Sequence, residues 1–255
     1  MRVEDFQCDN VQNGTMLDRV GIGTNCMWVI DGASEVVKSD EGSKATWLID
    51  TLNSELKHHS LGGVKQTLND RMNFILSKYS LAQELNLRPK DKQPCFTLAM
   101  LKQYGQKLEV GVIADASVIL LMSDGEIKVI TDKRINPFSE RTLSFRDQTK
   151  QKEQMIENRK FMNQQGGYWV GTSGLEWVPE TKVSVFSVQD VEKVLLCSDG
   201  FTRVFQNGLV PYRSVLSGRV TIGEALELLR EKEKTHPLKE VKQHDDASAI
   251  LISVK

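Results

Sequence analysis

Two stretches of this 255-residue chain end an apolar run on the same pair of residues. "VLLCSDGFTRVF" carries Val194 to Cys197 through Ser198 into Asp199-Gly200, and "MWVIDGAS" carries Met27 to Ile30 into Asp31-Gly32. A short apolar run of this kind reads as a strand bound for the core, so each carboxylate stands where a sheet ends. After each glycine the strand character stops, and glycine lets the backbone turn sharply and approach a ligand closely. An Asx-type turn accounts for either aspartate taken alone.

Other acids take the same position. "KQHDDASAILISV" sets Asp245-Asp246 just before an alternation of Ala247, Ala249 and Leu251, and "TMLDRVGIG" sets Asp18 at the start of the strand leading to Asp31. Carboxylates gathered at neighbouring strand ends repel one another unless cations lie between them. Oxygen donors without a histidine at ligand spacing suit Mg²⁺ or Mn²⁺ better than Zn²⁺. Two such ions about 3.5–4 Å apart can activate water and steady charge on a phosphoryl group. The residues point to metal-assisted phosphoester hydrolysis.

The elements that must deliver these acids are legible as a pattern. Strand-like runs fall at 20–30, 95–102, 107–114, 117–123, 126–131, 182–187, 193–198 and 247–253. "FTLAMLKQYGQKLEVGVI" turns at Tyr104 to Gln106, and "VILLMSDGEIKVIT" reads as a hairpin with Asp124-Gly125 as a type I′ pair. Ala45, Leu48, Ile49, Leu52 and Leu56 keep helical spacing, as do Val64, Leu68, Met72, Ile75, Leu76 and Tyr79, with Gly62-Gly63 between the two sets. Residues 140–165 and 221–234 read as further helices. Strands and helices are segregated, which predicts antiparallel sheets with helices packed outside them. Without repeat, low-complexity segment or linker, residues 1–255 read as a single domain.

Composition narrows the class. Hydrophobic residues make up 40% and the formal net charge is −1, with no basic block, which excludes a nucleic-acid footprint. Cys8, Cys26, Cys95 and Cys197 form no CxxC pair and suit reduced thiols. The N-terminal acids do not fit a signal peptide, and the longest apolar run is broken by Asp115. The expectation is a cytoplasmic chain, soluble and off the membrane.

At these residues the sequence resembles the metal-dependent serine/threonine protein phosphatases, the PPM or type 2C family, in the bacterial style. "MLDR", "WVIDGAS", the meander "FTLAMLKQYGQKLEVGVIADASVILLMSDGEIKVITD", "VLLCSDGFT" and "DDASAILI" follow the order of that family's motifs across nearly the whole chain. The resemblance implies an α+β fold, a four-layer α-β-β-α sandwich of two central antiparallel sheets flanked by helices. It implies Mn²⁺ or Mg²⁺ as cofactor, two ions and a weaker third, and a metal-activated water that attacks phosphoserine or phosphothreonine. Carried over, Asp31 bridges two metals and the Gly32 carbonyl ligates one. Asp199 and Asp245 complete one site, Asp18 lies by the other, and Asp115 joins Asp199 at the third. Asp31, Asp199 and Asp245 are thus the expected catalytic acids, and a phosphorylated protein the partner of a monomeric enzyme.

The sequence also departs from the family. An arginine expected before the first aspartate is replaced within "VQNGTML", Arg19 is not an obvious substitute, and the histidine of animal members is absent. A pseudophosphatase serving as a regulatory or binding module, and a small-molecule phosphoesterase, are the alternative readings. Trp28, Trp47, Trp169 and Trp177 read first as core, with Trp169 or Trp177 as candidates to face substrate. His58-His59 read as a helix cap or surface pair, and His244 as a loop residue beside Asp245, with a place behind the metal-holding acids as its alternative.

Overall fold

The computed structural model describes residues 1–9, 17–33, 42–235 and 244–255. In chain order the strands and helices are β1 (Arg2–Asp9), β2 (Arg19–Ile22), β3 (Cys26–Gly32), α1 (Gly42–Leu56), α2 (Val64–Lys78), α3 (Ser80–Asn86), β4 (Phe96–Tyr104), β5 (Lys107–Ile113), β6 (Ser117–Met122), β7 (Ile127–Thr131), α4 (Asn136–Leu143), α5 (Gln148–Arg159), β8 (Lys182–Ser187), β9 (Val191–Cys197), α6 (Asp199–Gln206), α7 (Tyr212–Leu216), α8 (Ile222–Thr235) and β10 (Ala247–Ser253). They form two 5-stranded sheets, ordered β1-β10-β9-β6-β7 and β2-β3-β4-β5-β8, and every pairing is antiparallel.

Period-two alternation explains why the strands read as unbroken apolar runs. Met27, Val29, Ala99 and Leu101 of one sheet meet Val118, Leu120, Leu196 and Ile250 of the other in a cluster between the sheets. The intervening residues face outward: Trp28, Ile30, Leu98 and Met100 pack under Leu48, Leu52, Leu68 and Met72 of α1 and α2. On the far side Leu195, Cys197, Ala249 and Leu251 pack under Phe201, Leu216, Leu226 and Leu229 of α6, α7 and α8. Both faces of the central strands are thus dry, and the α+β four-layer expectation holds.

Several local expectations differ. The run 20–30 is two strands, because Gly23 N donates to Cys26 O at 2.8 Å and reverses the chain. β1 escaped the reading because "RVEDFQCD" is a charged edge strand whose residues alternate between exposed and half-buried at its start. The Asp124-Gly125 turn is not type I′: Gly125 has φ +86, while Asp124 is not among the positive-φ residues. Gly125 N donates to Met122 O and Met122 N to Glu126 O, both at 2.9 Å. That makes a three-residue loop closed by a left-handed glycine, and Asp124 accepts from Glu126 N as a hairpin residue. The helix expected over 140–165 is interrupted between α4 and α5, where Asp147 caps the second by accepting from Thr149 N at 2.7 Å.

Candidate metal centre

The strand ends bring the expected acids to one end of the sandwich. Asp31 is the sixth residue of β3, opposite Thr97 of β4 in the register. It shares the strand parity of Met27 and Val29, the side that faces the second sheet. Asp18 immediately precedes β2 and is 1% exposed. Asp115 sits in the turn between β5 and β6, next to Ala114 in a left-handed conformation (φ 58). Asp199 opens α6 directly after β9, and Asp245-Asp246 run into β10.

The ends of β9 and β10 are laced together. Ser198 N donates to Ser248 O at 2.9 Å, and Ser248 N donates back to Ser198 Oγ at 3.0 Å. The two glycines work by close approach rather than by unusual torsion. A Cβ on Gly200 would lie 2.0 Å from Asp246 O, and one on Gly32 would lie 2.3 Å from Ile49 Cδ1 and 2.7 Å from Leu17 Cβ. Gly200 therefore lets α6 start against the Asp246 backbone, and Gly32 lets β3 pass beneath α1.

Electrostatics show that the carboxylates share one field. Burial pushes the Asp31 carboxyl well above its usual range, and the negative charges of Asp18, Asp199 and Asp245 push it further. Asp115 is raised to about 7, first by burial and then by Asp199 and Asp245. Asp18 is also raised to about 7, mainly by burial, with Asp199 and Asp246 adding to it and a hydrogen bond from Ser248 opposing it. Asp132 also raises Asp115, but Arg134 holds Asp132 at 2.6 Å, so it stands outside the set. A cavity of about 280 Å³ is lined by Asp31, Asp115, Asp199 and Asp245 together with Arg159, Arg203 and apolar side chains that include Phe138 and Met155.

These residues fit a divalent cation in donor type and charge. Asp18 Oδ1 is buried without a hydrogen-bond partner, an arrangement that is costly unless a cation or proton satisfies it. Among the described residues, no three His, Cys, Asp or Glu side chains are gathered so as to hold an ion as they stand. The set is thus matched in chemistry and open in geometry.

The comparisons with known proteins bear on this centre. Residues 15–241 match the profile described as Protein phosphatase 2C. The chain belongs to that family. As a type 2C member it is a metal-dependent protein serine/threonine phosphatase, a hydrolase that uses Mn²⁺ or Mg²⁺. No curated protein matches the sequence. Among solved structures, the chain is similar to the serine/threonine phosphatase Stp1 from Staphylococcus aureus, at 16% identity and TM-score 0.60, covering 100% of this chain and 96% of that one. It is also similar to the serine/threonine phosphatase PstP/Ppp of Mycobacterium tuberculosis, at 18% identity and TM-score 0.54, over 96% and 95% of the two chains. The PstP catalytic domain, described in complex with 2 manganese ions, matches at 16% identity and TM-score 0.53, over 96% and 95%. At such identities these likenesses speak to the fold.

The type 2C reading leaves a phosphate-holding cation to find. Most of "VQNGTML" lies outside the described residues, as does Ser34. Arg19 is committed elsewhere: its Nε donates to Asp50 Oδ1 and its Nη1 to the Asp18 carbonyl, each at 2.7 Å. Arg159 and Arg203 line the cavity instead. Sequence reasoning missed Arg203, although its place four residues after Asp199 would put both on one face of α6. Trp177 is core, fully buried, with Nε1 donating to Gly174 O at 3.0 Å. Trp169 is half-buried beneath Arg134, 5.9 Å from its ring, and is not among the residues lining the cavity. His58 and His59 are exposed, while His244 pairs with Glu233 at 2.9 Å.

Proposed function

We propose that this phosphatase hydrolyses phosphoserine and phosphothreonine monoesters of a phosphorylated protein in the 280 Å³ cavity, with Asp18, Asp31, Gly32, Asp115, Asp199 and Asp245 as its metal-holding residues. The observation that carries the reading is that Asp31, Asp115, Asp199 and Asp245 line one cavity, where burial first and the neighbouring acids second push Asp18, Asp31 and Asp115 toward neutrality, a concentration of negative charge that a divalent cation relieves. When bound, Mn²⁺ or Mg²⁺ supplies Lewis acidity and a water of lowered pKa. The chain's own contribution is positional. Asp31 reaches the cavity from one sheet, Asp199 and Asp245 from the other, and Asp115 from the β5–β6 turn, so the shared rigidity of the sandwich fixes their spacing. Arg159, in the last turn of α5, is the cation placed to meet substrate phosphate, and Phe138 and Met155 give the cavity an apolar side.

We further assign the chain to the cytoplasm, acting as a monomer away from nucleic acid and membrane. Free cysteines at 8, 26, 95 and 197 support this, as does the absence, among the described residues, of a helix long and apolar enough to cross a membrane.

One observation favours the pseudophosphatase alternative: "VQNGTML" carries no arginine before Asp18, and Arg19 is bound to Asp50. The deciding experiment measures hydrolysis of p-nitrophenyl phosphate and a phosphothreonine peptide with Mn²⁺ or chelator, beside Asp31→Asn and Asp199→Asn. Turnover that needs metal and disappears in both variants supports the enzyme; metal binding without turnover supports the regulatory module. A small ester turned over far faster than the peptide would favour the small-molecule phosphoesterase.

A further inference from the structure

The hydrolysis described above uses the acids and an arginine, yet much of the cavity is apolar. Phe138 and Leu143 of α4, Met155 of α5, and Tyr168 and Val170 from the segment before β8 line the same 280 Å³ space as Asp31, Asp115, Asp199 and Asp245. Neither a metal ion nor a phosphoryl group has use for them. Tyr168 and Val170 are buried in a small cluster with Cys95, Ala114 and Met162, against which Phe138 packs. Phe138 and Met155 are half-buried, and Leu143, the last residue of α4, stays 39% exposed. The apolar side chains therefore make a buried floor and a rim that solvent reaches.

The two helices are locked together by polar groups that are thereby used up. Asn158, the buried residue of α5, donates through Nδ2 to Phe138 O and to Thr142 Oγ1, each at 3.0 Å, and accepts at Oδ1 from Gln154 Nε2 at 2.8 Å. Thr142, the buried residue of α4, donates its hydroxyl to Phe138 O at 3.1 Å. Gln151 Nε2 donates to Phe145 O at 2.8 Å and closes the turn between the helices. The Phe138 ring is further set by Tyr168 and Phe161, with centroids 5.0 and 5.5 Å away. The buried polar side chains of the two helices thus serve the frame, and those left to meet a ligand are mainly Phe138, Leu143 and Met155. A preformed pocket, largely apolar with a few polar groups that fix orientation, is the usual form of a recognition site.

We propose that this apolar side is a specificity pocket for the phosphoprotein substrate: it takes an apolar side chain, such as leucine, that lies within two residues of the phosphorylated serine or threonine. The inference rests on the cavity being the phosphatase site. Continuity argues for this occupant. One cavity holds both the acids and the apolar side chains, so a phosphoresidue bound at the acids brings its chain neighbours into the same space. An extended chain advances about 3.3–3.6 Å per residue, which carries a side chain one or two positions away across roughly 7 Å. Seating an apolar side chain there takes its surface and that of the rim out of water, which is favourable in proportion to area. An acidic side chain in the same place would lose its water and gain no partner from Phe138, Leu143 or Met155.

The test uses the full chain with Mn²⁺ and a set of phosphothreonine peptides. They differ at one position, from two residues before the phosphothreonine to two after, with Leu, Ser or Glu there. The expected result is a kcat/KM about 10-fold or more higher for Leu than for Ser at one of these positions. Leu143→Ser and Met155→Ser are each expected to cancel most of that preference through a higher KM with kcat close to wild type. Contact remote from phosphorus binds ground and transition states alike. The Ser-flanked peptide and Mn²⁺ affinity should keep their wild-type values in both variants. Leu143 is partly exposed, so its variant decides if Met155→Ser does not fold. Equal kcat/KM for Leu, Ser and Glu in wild type, or a preference for Glu, would overturn the proposal. So would variants that slow the Leu and Ser peptides alike, which makes these residues part of the frame. A wild-type dimer in sedimentation that Leu143→Ser dissociates would give the apolar side to a second copy and overturn it too. Wild-type protein that hydrolyses none of the peptides with Mn²⁺ would instead overturn the phosphatase cavity itself, and this inference with it.

Discussion

Ser248 Oγ donates a 2.6 Å hydrogen bond to Asp18 Oδ2, joining the start of β2 to β10 across 230 residues of sequence. The bond stabilises the ionised form of a carboxyl that burial otherwise drives toward neutrality. Ser248→Ala removes that donor and leaves a second Asp18 oxygen unsatisfied. The expected outcome is a loss of about 1–3 kcal/mol in metal-free stability together with a weaker Mn²⁺ affinity, read by chelator melts and by calorimetry. A variant as stable as wild type would show that Asp18 is already protonated and does not need the hydroxyl.

The acid cluster gives the metal-free protein a definite dependence on pH. Asp18 and Asp115 are raised from 3.8 to about 7, and Asp31 is raised in the same direction. The folded state therefore binds protons that the unfolded chain releases, so stability from these groups is full below pH ~3.8 and is lost as pH rises through about 7. Melting temperatures in chelator are expected to fall between pH 5.5 and 7.5. Mn²⁺, which competes with those protons, should raise the melting temperature more at pH 7.5 than at 5.5. An Mn²⁺ effect of equal size at both values would place the ion away from these acids.

How much of this the sequence revealed depends on what each element buries. β3, β4, β6, β9 and β10 were legible because both of their faces are dry, so every residue carries the signal. β1 was not, since it lies at a sheet edge and alternates exposed Arg2 and Glu4 with half-buried Val3 and Asp5. The acids at Asp31, Asp199 and Asp245 were legible because a carboxylate at the end of an apolar run is conspicuous. What surrounds them was hidden: Ser248 looks like any strand serine, and buried Glu233 sits among the charges of "REKEK", where only the tertiary fold shows which one turns inward. The two glycines were recognised for the right property, but the partner of Gly200 is the Asp246 backbone rather than a ligand.

That contact supplies a sharp substitution. Gly200→Ala would press a methyl into the Asp246 carbonyl, 2.0 Å from an ideal Cβ. Since the obstacle is backbone, relief requires α6 and the Asp245-Asp246 segment to move apart. A loss of about 1–3 kcal/mol is expected from overpacking, with a larger fractional loss of Mn²⁺-dependent turnover, because the shift separates Asp199 from Asp245. Unchanged turnover at saturating Mn²⁺ would mean that these two acids need not be held in their present spacing.

The thiols should be quiet in the native protein. Burial raises Cys26, Cys95 and Cys197, and Cys8 is raised as well despite its contact with Ser248. The thiolate is the nucleophile, so iodoacetamide at pH 8 is expected to label the folded chain slowly and all four cysteines promptly after denaturation. Fast native labelling of Cys197 would show that the β9 end opens readily, against the dry packing seen beneath α6.

The question of what holds substrate phosphate can be settled between two arginines. Arg19 is bound to Asp50 and to the Asp18 carbonyl, whereas Arg159 lines the cavity with Asp31 and Asp115. Cys95 and Tyr168 both feel the positive charge of Arg159 and the negative charge of Asp115, so both charges lie near this pair of side chains. A guanidinium lining the same cavity as the metal-holding acids can pair with a phosphate dianion bound there. Arg159→Ala is expected to lower kcat/KM for a phosphothreonine peptide by about 10–100-fold, the size of a lost charge-assisted hydrogen bond of about 1.5–3 kcal/mol, with Mn²⁺ affinity unchanged. Arg19→Ala should leave kcat/KM close to wild type. The reverse ranking in steady-state kinetics would mean that Arg19 lets go of Asp50 when substrate arrives, and that the cavity wall around Arg159 serves another purpose.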